Sequence, residues 1–303
     1  MQTILENALH LCHPYTAEGA CASYIPELSL SDPSRLGVAV FTQDGSCFSA
    51  GDADERFTVQ SISKVISLAV ALQTHGFDSV FQNMNMEPSG DAFNSLVKLD
   101  LTSDKPFNPM INAGAIATIG YLANHTDFDT MLQYAREVCL DDGIALNERV
   151  YRSEMDNCAR NKAIAYLLQS KGILKSDVDQ TIELYTRMCA LNVTAKSLAG
   201  LGAVLSCGGR NPISGTQLIT PDVTRIVKTI MFTCGMYDGS GEFAVRVGMP
   251  SKSGVGGGIL AVARNMGIGI YGPALDQKGN SVAGQRVLEY LSRELNLHIF
   301  ADN

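Results

Sequence analysis

Strand-forming patterns lie at both ends of this chain and almost nowhere between them. Leu36 to Thr42 is rich in β-branched and small apolar residues, Asp44-Gly45 follows, and Ser46 to Gly51 returns. Asp-Gly between two such runs is a strong hairpin signal, because the favoured two-residue turns need positive φ. A third extended piece spans Arg56 to Val59. Near the other end, Gly258 to Ala263 and Met266 to Tyr271 flank the short connection Arg264-Asn265. From about residue 77 to 235 the apolar spacing turns helical, over Ala113 to Ala123, Asp127 to Cys139, Asn157 to Gln169, Val178 to Leu191, Ala195 to Leu205 and Pro221 to Met231. Amphipathic helices over residues 2–12 and from about Val282 to Leu295 close the two ends. This order predicts an α+β fold in which strands from both ends join one antiparallel sheet flanked by helices. The first and last helices should cover one face, and the helix after residue 61, with the helical insertion, the other. The small-residue run Leu198 to Leu205 suits close packing against a neighbouring helix. A single domain over 1–303 is expected, with an α/β lobe from 1–75 and 235–303 and a helical lobe at about 76–234.

Composition narrows the class. Hydrophobic residues make up 46% and charged residues 18% of the 303 positions, which suits a globular chain. A net charge of −8 argues against a nucleic-acid surface. No apolar run reaches the ~20 residues of a membrane span, and the N-terminus lacks the basic region of a signal peptide. The eight scattered cysteines form no Cys-x-x-Cys pair and no Cys/His spacing suits zinc, so reduced thiols in a cytoplasmic protein are expected.

The chemistry begins at Ser61-Ile62-Ser63-Lys64, which opens the apolar run Val65 to Leu72. A helix should carry Ser61 and Lys64 in its first turn, on one face, so that a hydroxyl and an amine meet. Penicillin-recognising enzymes use Ser-x-x-Lys this way, opposite a Lys-Thr-Gly strand. Lys252-Ser253-Gly254 is a plausible equivalent of that strand box. The N–H groups of Ser61 and the residue after Gly254 could form an oxyanion hole. Glycines at 254 and 256–258 would let this strand approach a ligand closely. The middle Ser-x-Asn or Tyr-x-Asn box of that superfamily is absent from the chain.

Longer motifs are more specific. Lys105 to Ile116, Ser153-Glu154 with Arg160-Asn161, Tyr185, Met236 to Gly241 and Ser251 to Gly258 together resemble the serine-dependent glutaminase family. The resemblance covers essentially the whole chain from Tyr24 onward. It implies the β-lactamase-like, penicillin-binding-protein-like fold and hydrolysis of L-glutamine to L-glutamate and ammonia through a Ser-Lys dyad. Ser61 would be the nucleophile and Lys64 its base, with Tyr237 and Lys252 as further catalytic groups. Tyr24, Asn112, Glu154, Asn161, Tyr185 and Tyr237 would contact substrate, with the Val255 N–H in the oxyanion hole. The family also implies a homo-oligomer, a dimer or tetramer, without nucleic-acid or membrane partners, and no metal and no organic cofactor.

The residue types fit a zwitterionic substrate. The α-ammonium of glutamine needs a carboxylate, which Glu154 supplies, and the α-carboxylate needs neutral donors such as Asn112, Asn161 and Tyr185. Lys64 can act as a base only if burial or a second cation, for which Lys252 is placed, lowers its pKa. Another serine amidase, a penicillin-recognising hydrolase and a catalytically silent amino-acid-binding protein are the competing classes. The missing middle box and Glu154 speak against the hydrolase, and the intact Ser61, Lys64 and Lys252 against the silent binder. Asp238 to Gly241 is expected to be a turn, and Ser63 has no assigned role.

Overall fold

The structure is a computed structural model. It describes residues 1–89 and 104–301, so residues 90–103 of the expected helical lobe lie outside the described part. In chain order the helices are α1 (Gln2–Cys12), α2 (Ser63–Phe81), α3 (Asn112–Leu122), α4 (Phe128–Cys139), α5 (Glu148–Asp156), α6 (Ala159–Ser170), α7 (Val178–Cys189), α8 (Ala195–Ser206), α9 (Pro221–Cys234), α10 (Ser240–Arg246) and α11 (Val282–Glu294). The strands are β1 (Gly37–Thr42), β2 (Cys47–Gly51), β3 (Phe57–Thr58), β4 (Ala145–Leu146), β5 (Leu191–Val193), β6 (Ser251–Gly254), β7 (Gly258–Val262) and β8 (Met266–Tyr271).

Strands from both chain ends do form one antiparallel sheet, in the order β2-β1-β8-β7-β6. The join is β1 against β8, with Val38 opposite Ile270 and Val40 opposite Ile268. Alternation along the strands decides what each face meets. Val38, Val40, Ile259, Ile268 and Ile270 point to one face and share a core with Leu5, Ala8, Val287 and Leu291, so α1 and α11 cover it as expected. On β8 the residues facing the other way are Gly267, Gly269 and, at the strand's end, Tyr271, which stacks on Phe57. A Cβ at Gly267 would stand 2.1 Å from Ala203 N, and one at Gly269 1.9 Å from Ala195 O. Helix α8 therefore lies backbone-close along β8, β1 and β7.

Several expectations are corrected here. The small-residue run of α8 packs chiefly on the sheet, through Gly202 against Gly267, while Gly200 meets the end of α4 at Cys139. The inner face is thus covered by α8, a helix of the insertion as expected, but not by α2, which packs against α3 and α9. The third extended piece also leaves the main sheet. β3 pairs with β5, and β5 with β4, in a second small sheet. Helix α7 accordingly ends at Cys189, and Leu191 begins a strand rather than ending a helix.

Helices α5 and α10 were not expected. α5 starts where the Asn147 side chain accepts a hydrogen bond from Val150 N, which satisfies an otherwise orphaned first-turn donor. It buries only Val150 and Glu154, so its apolar stripe is too narrow to stand out in the sequence.

Candidate active site

Ser61 sits at the convergence of the two sheets. Val59 N donates to Leu191 O at 2.8 Å and so anchors the approach from β3. Gln60 then takes φ 48°, a left-handed conformation that costs a non-glycine residue energy and is typical of functional turns. Ser61 follows in a short 3₁₀ turn, Gln60–Ile62, one turn ahead of α2 rather than inside it. Two of the glycines after Lys252 also meet the backbone ahead of Ser61. A Cβ at Gly254 would lie 2.7 Å from Val59 O, and at Gly256 2.3 Å from Thr58 O. They admit the backbone that presents Ser61, and so bring the end of β6 against it. Val255, buried in the turn after β6, shares a small apolar cluster with Ile25, Val150 and Tyr237.

Lys64 is buried in the first turn of α2. Its Nζ donates to Asn112 Oδ1 at 2.7 Å and to Met110 O at 3.4 Å. Asn112, the first residue of α3, in turn donates from Nδ2 to Asn161 Oδ1 on α6 at 3.1 Å. Asn112 thus gives the lysine the amide partner that the absent middle box would have supplied. Burial lowers the Lys64 pKa to about 8, against the opposing pull of Cys189 and Glu154.

Lys252 is fully buried on β6. Its Nζ donates to Ser253 O at 2.6 Å and Gly235 O at 3.1 Å, and stands 4.3 Å from the centroid of the Tyr237 ring. Burial, and then Lys64, drive its pKa well below that of an ordinary lysine. Of the two expected causes, burial is the larger for Lys64, and the two buried amines disfavour each other's charge. Tyr237 also has positive φ, 55°. Ser240 clamps it, accepting from Met236 N at 3.0 Å and donating to Tyr237 O at 2.8 Å. Asp238 and Gly239 lie in a short 3₁₀ turn, Tyr237–Gly239, in keeping with the expected turn, while Ser240 and Gly241 open α10. Burial raises the Tyr237 pKa, while a hydrogen bond with the Ser61 hydroxyl works against the rise.

Glu154 on α5 is buried, and its Oε2 accepts from Gln60 Nε2 at 3.4 Å. Burial raises its pKa to about 7, opposed by Gln60 and by the nearby Lys64. Tyr185 on α7 is buried, and burial keeps its hydroxyl protonated far above the usual range, with Cys189, Glu154 and Tyr24 nearby. Tyr24 leaves half of its surface exposed, yet burial of its hydroxyl beside Tyr237 and Glu154 raises its pKa too. Its ring is at the rim and its hydroxyl inside. All the residues singled out in the sequence thus meet in one place. Two neighbours escaped notice, Gln60 and Cys189. Adjacency to Ser61 was a signal for the first, and the four-residue spacing from Tyr185 on one helix face for the second. Among the described residues, no group of three or more His, Cys, Asp or Glu converges to hold a metal ion.

The sheet joined from both chain ends, with Ser-x-x-Lys facing a Lys-Ser-Gly strand, defines a β-lactamase-like α+β protein. The chain belongs to the glutaminase family, whose model matches residues 19–300. It is 48% identical to "Glutaminase 2" of Clostridium perfringens, over 99% of this chain and 100% of that protein. Among solved structures, it superposes on the probable glutaminase ybaS with a TM-score of 0.95 and 38% identity, covering 99% and 98% of the two chains. A Bacillus subtilis glutaminase in covalent complex with 5-oxo-L-norleucine gives a TM-score of 0.90 at 36% identity, covering 99% of both chains. No helix among the described residues is long and apolar enough to cross a membrane.

Proposed function

We propose that this protein hydrolyses L-glutamine to L-glutamate and ammonia through an acyl-enzyme on Ser61. The carrying observation is the buried Lys64, with a pKa near 8, one helical turn from a buried serine whose side chain couples to Tyr237. Neutral Lys64 takes the Ser61 proton as the Oγ attacks the side-chain amide carbon. The oxyanion forms against the N–H groups of Ser61 and Val255, a reading supported by the close approach of Gly254 and Gly256 to the backbone that precedes Ser61. Tyr237, between Ser61 and Lys252, relays a proton to the leaving nitrogen. Ammonia departs, water attacks the ester, and glutamate leaves with Ser61 reprotonated. Glu154 pairs with the α-ammonium, while Asn112, Asn161 and the hydroxyls of Tyr185 and Tyr24 address the rest of the amino-acid head.

The relative from Bacillus subtilis, covalently modified by a diazo analogue, supports a nucleophilic mechanism. The proposal includes a cytoplasmic homo-oligomer, a dimer or tetramer, and five buried free cysteines support the reducing compartment. Ser61→Ala should abolish ammonia release from glutamine while thermal unfolding stays unchanged. Turnover close to that of the unmodified protein in this variant would overturn the mechanism.

A further inference from the structure

We propose that Cys189 is a positioning residue whose thiol, held by Ser63, aims the Tyr185 hydroxyl at the substrate's α-carboxylate; this rests on the assignment of Tyr185 to substrate made above. Cys189 and Tyr185 lie four residues apart on α7 and so share one face of that helix. The thiol is buried. Its sulfur lies 3.7 Å from Ser63 Oγ, on the first turn of α2. One turn of α7 separates it from Tyr185, and the thiol and the tyrosine hydroxyl perturb each other's titration. Ser63, Lys64 and Tyr185 line the same small internal cavity, so this contact sits directly behind the lysine.

Donor counting gives the chain its direction. A tyrosine hydroxyl has one proton to give and a thiol one, and a serine hydroxyl can donate to sulfur. If Tyr185 gives its proton to a substrate carboxylate, the S–H must donate to the tyrosine oxygen. Ser63 then donates to the sulfur. Burial and Glu154 push the Cys189 thiol up to about 12, which keeps its proton in place for this purpose. Without the thiol donor, the Tyr185 proton is free to rotate away from the ligand. Ser63, inside the nucleophile motif yet not reacting, thereby gains a role, since it ties the turn carrying Lys64 to the tyrosine that reads the substrate.

A double-mutant cycle tests this in steady-state glutamine hydrolysis. Cys189→Ala should raise KM about fivefold, the worth of one hydrogen bond, with a smaller effect on kcat. Cys189→Ser keeps a donor and an acceptor and should restore KM to within about twofold. Ser63→Ala, on a different element, should shift KM in the same direction. In a Tyr185→Phe background, Cys189→Ala should add nothing further to KM. An equal penalty in both backgrounds would reduce Cys189 to packing and overturn the proposal, as would a serine variant as impaired as the alanine one. An unchanged KM in Tyr185→Phe alone would instead overturn the assignment of Tyr185 to substrate, and this role of Cys189 with it.

Discussion

Asn112→Asp places a carboxylate where the amide oxygen now accepts from Lys64 Nζ at 2.7 Å. The change is isosteric; it adds one negative charge beside the amine and removes the donation to Asn161 Oδ1, which an amide flip of Asn161 can replace with a donation to the new carboxylate. At pH 7 an amine titrating at about 8 is neutral in about one molecule in ten. An ordinary lysine near 10.4 is neutral in only about one in 2,500. An opposite charge at such a distance raises a lysine's pKa by about 1–3 pH units. The neutral fraction, and kcat/KM at neutral pH, should therefore fall about 10- to 1,000-fold. Some loss will come from repulsion of the substrate's carboxylate, so the height of the profile is not the readout. The position of the rising limb is, because kcat/KM reports the free enzyme's titrations. Initial rates of ammonia release between about pH 6 and pH 10 should show a limb near 8 in the unmodified protein, moved alkaline in the variant and recovering at high pH. A uniform loss with the limb still near 8 would show that Lys64 is not the base.

Glu154→Gln keeps the shape and removes the charge. KM for glutamine should rise about 10- to 100-fold, as for a lost hydrogen bond to a charged group. The carboxylate form of Glu154 prevails only above about pH 7, so the variant's kcat/KM profile should also lose that acidic limb and keep the one from Lys64; an unaltered acid limb would clear Glu154 of it. Gly269→Ala puts a Cβ 1.9 Å from the Ala195 carbonyl and should destabilise by at least about 1–3 kcal/mol in urea unfolding. Gly241→Ala, whose Cβ meets nothing within 4 Å, is the matched control and should leave the midpoint in place.

What the sequence disclosed and what it hid follow from the range of the interactions. Hairpins at Asp44-Gly45 and Arg264-Asn265 are local events with local signals, and both stand where expected. The amphipathic end helices follow from spacing alone. The partner of β3 is β5, far along the chain, and two- or three-residue strands carry too few side chains for alternation to show. Leu191 continued the apolar spacing of α7, so the helix-to-strand change there was invisible. The glycines of β8 announced a close approach but not by what, and α8 is the answer. At the site, residue types and motif order named the participants. The left-handed φ at Gln60, the burial of both lysines, and the thiol beside Tyr185 are products of tertiary packing.

The central position of β8 has a consequence for biosynthesis. It is the last strand in the chain, yet it lies between β1 and β7, and β1 has no other partner on that side. The β1–β2 hairpin leaves the ribosome first and must wait, its inner edge unpaired, until residue 271 has been made. Unpaired edges favour association with other chains. The helical segments, rich in short-range contacts, can form meanwhile, whereas pairing across such a span is slow. Ser61 and Lys64 are thus synthesised early, but the strand bearing Lys252 and the turn at Val255 come only with the closing of the sheet. An emerging chain carries its nucleophile for most of translation before it has a site in which to use it.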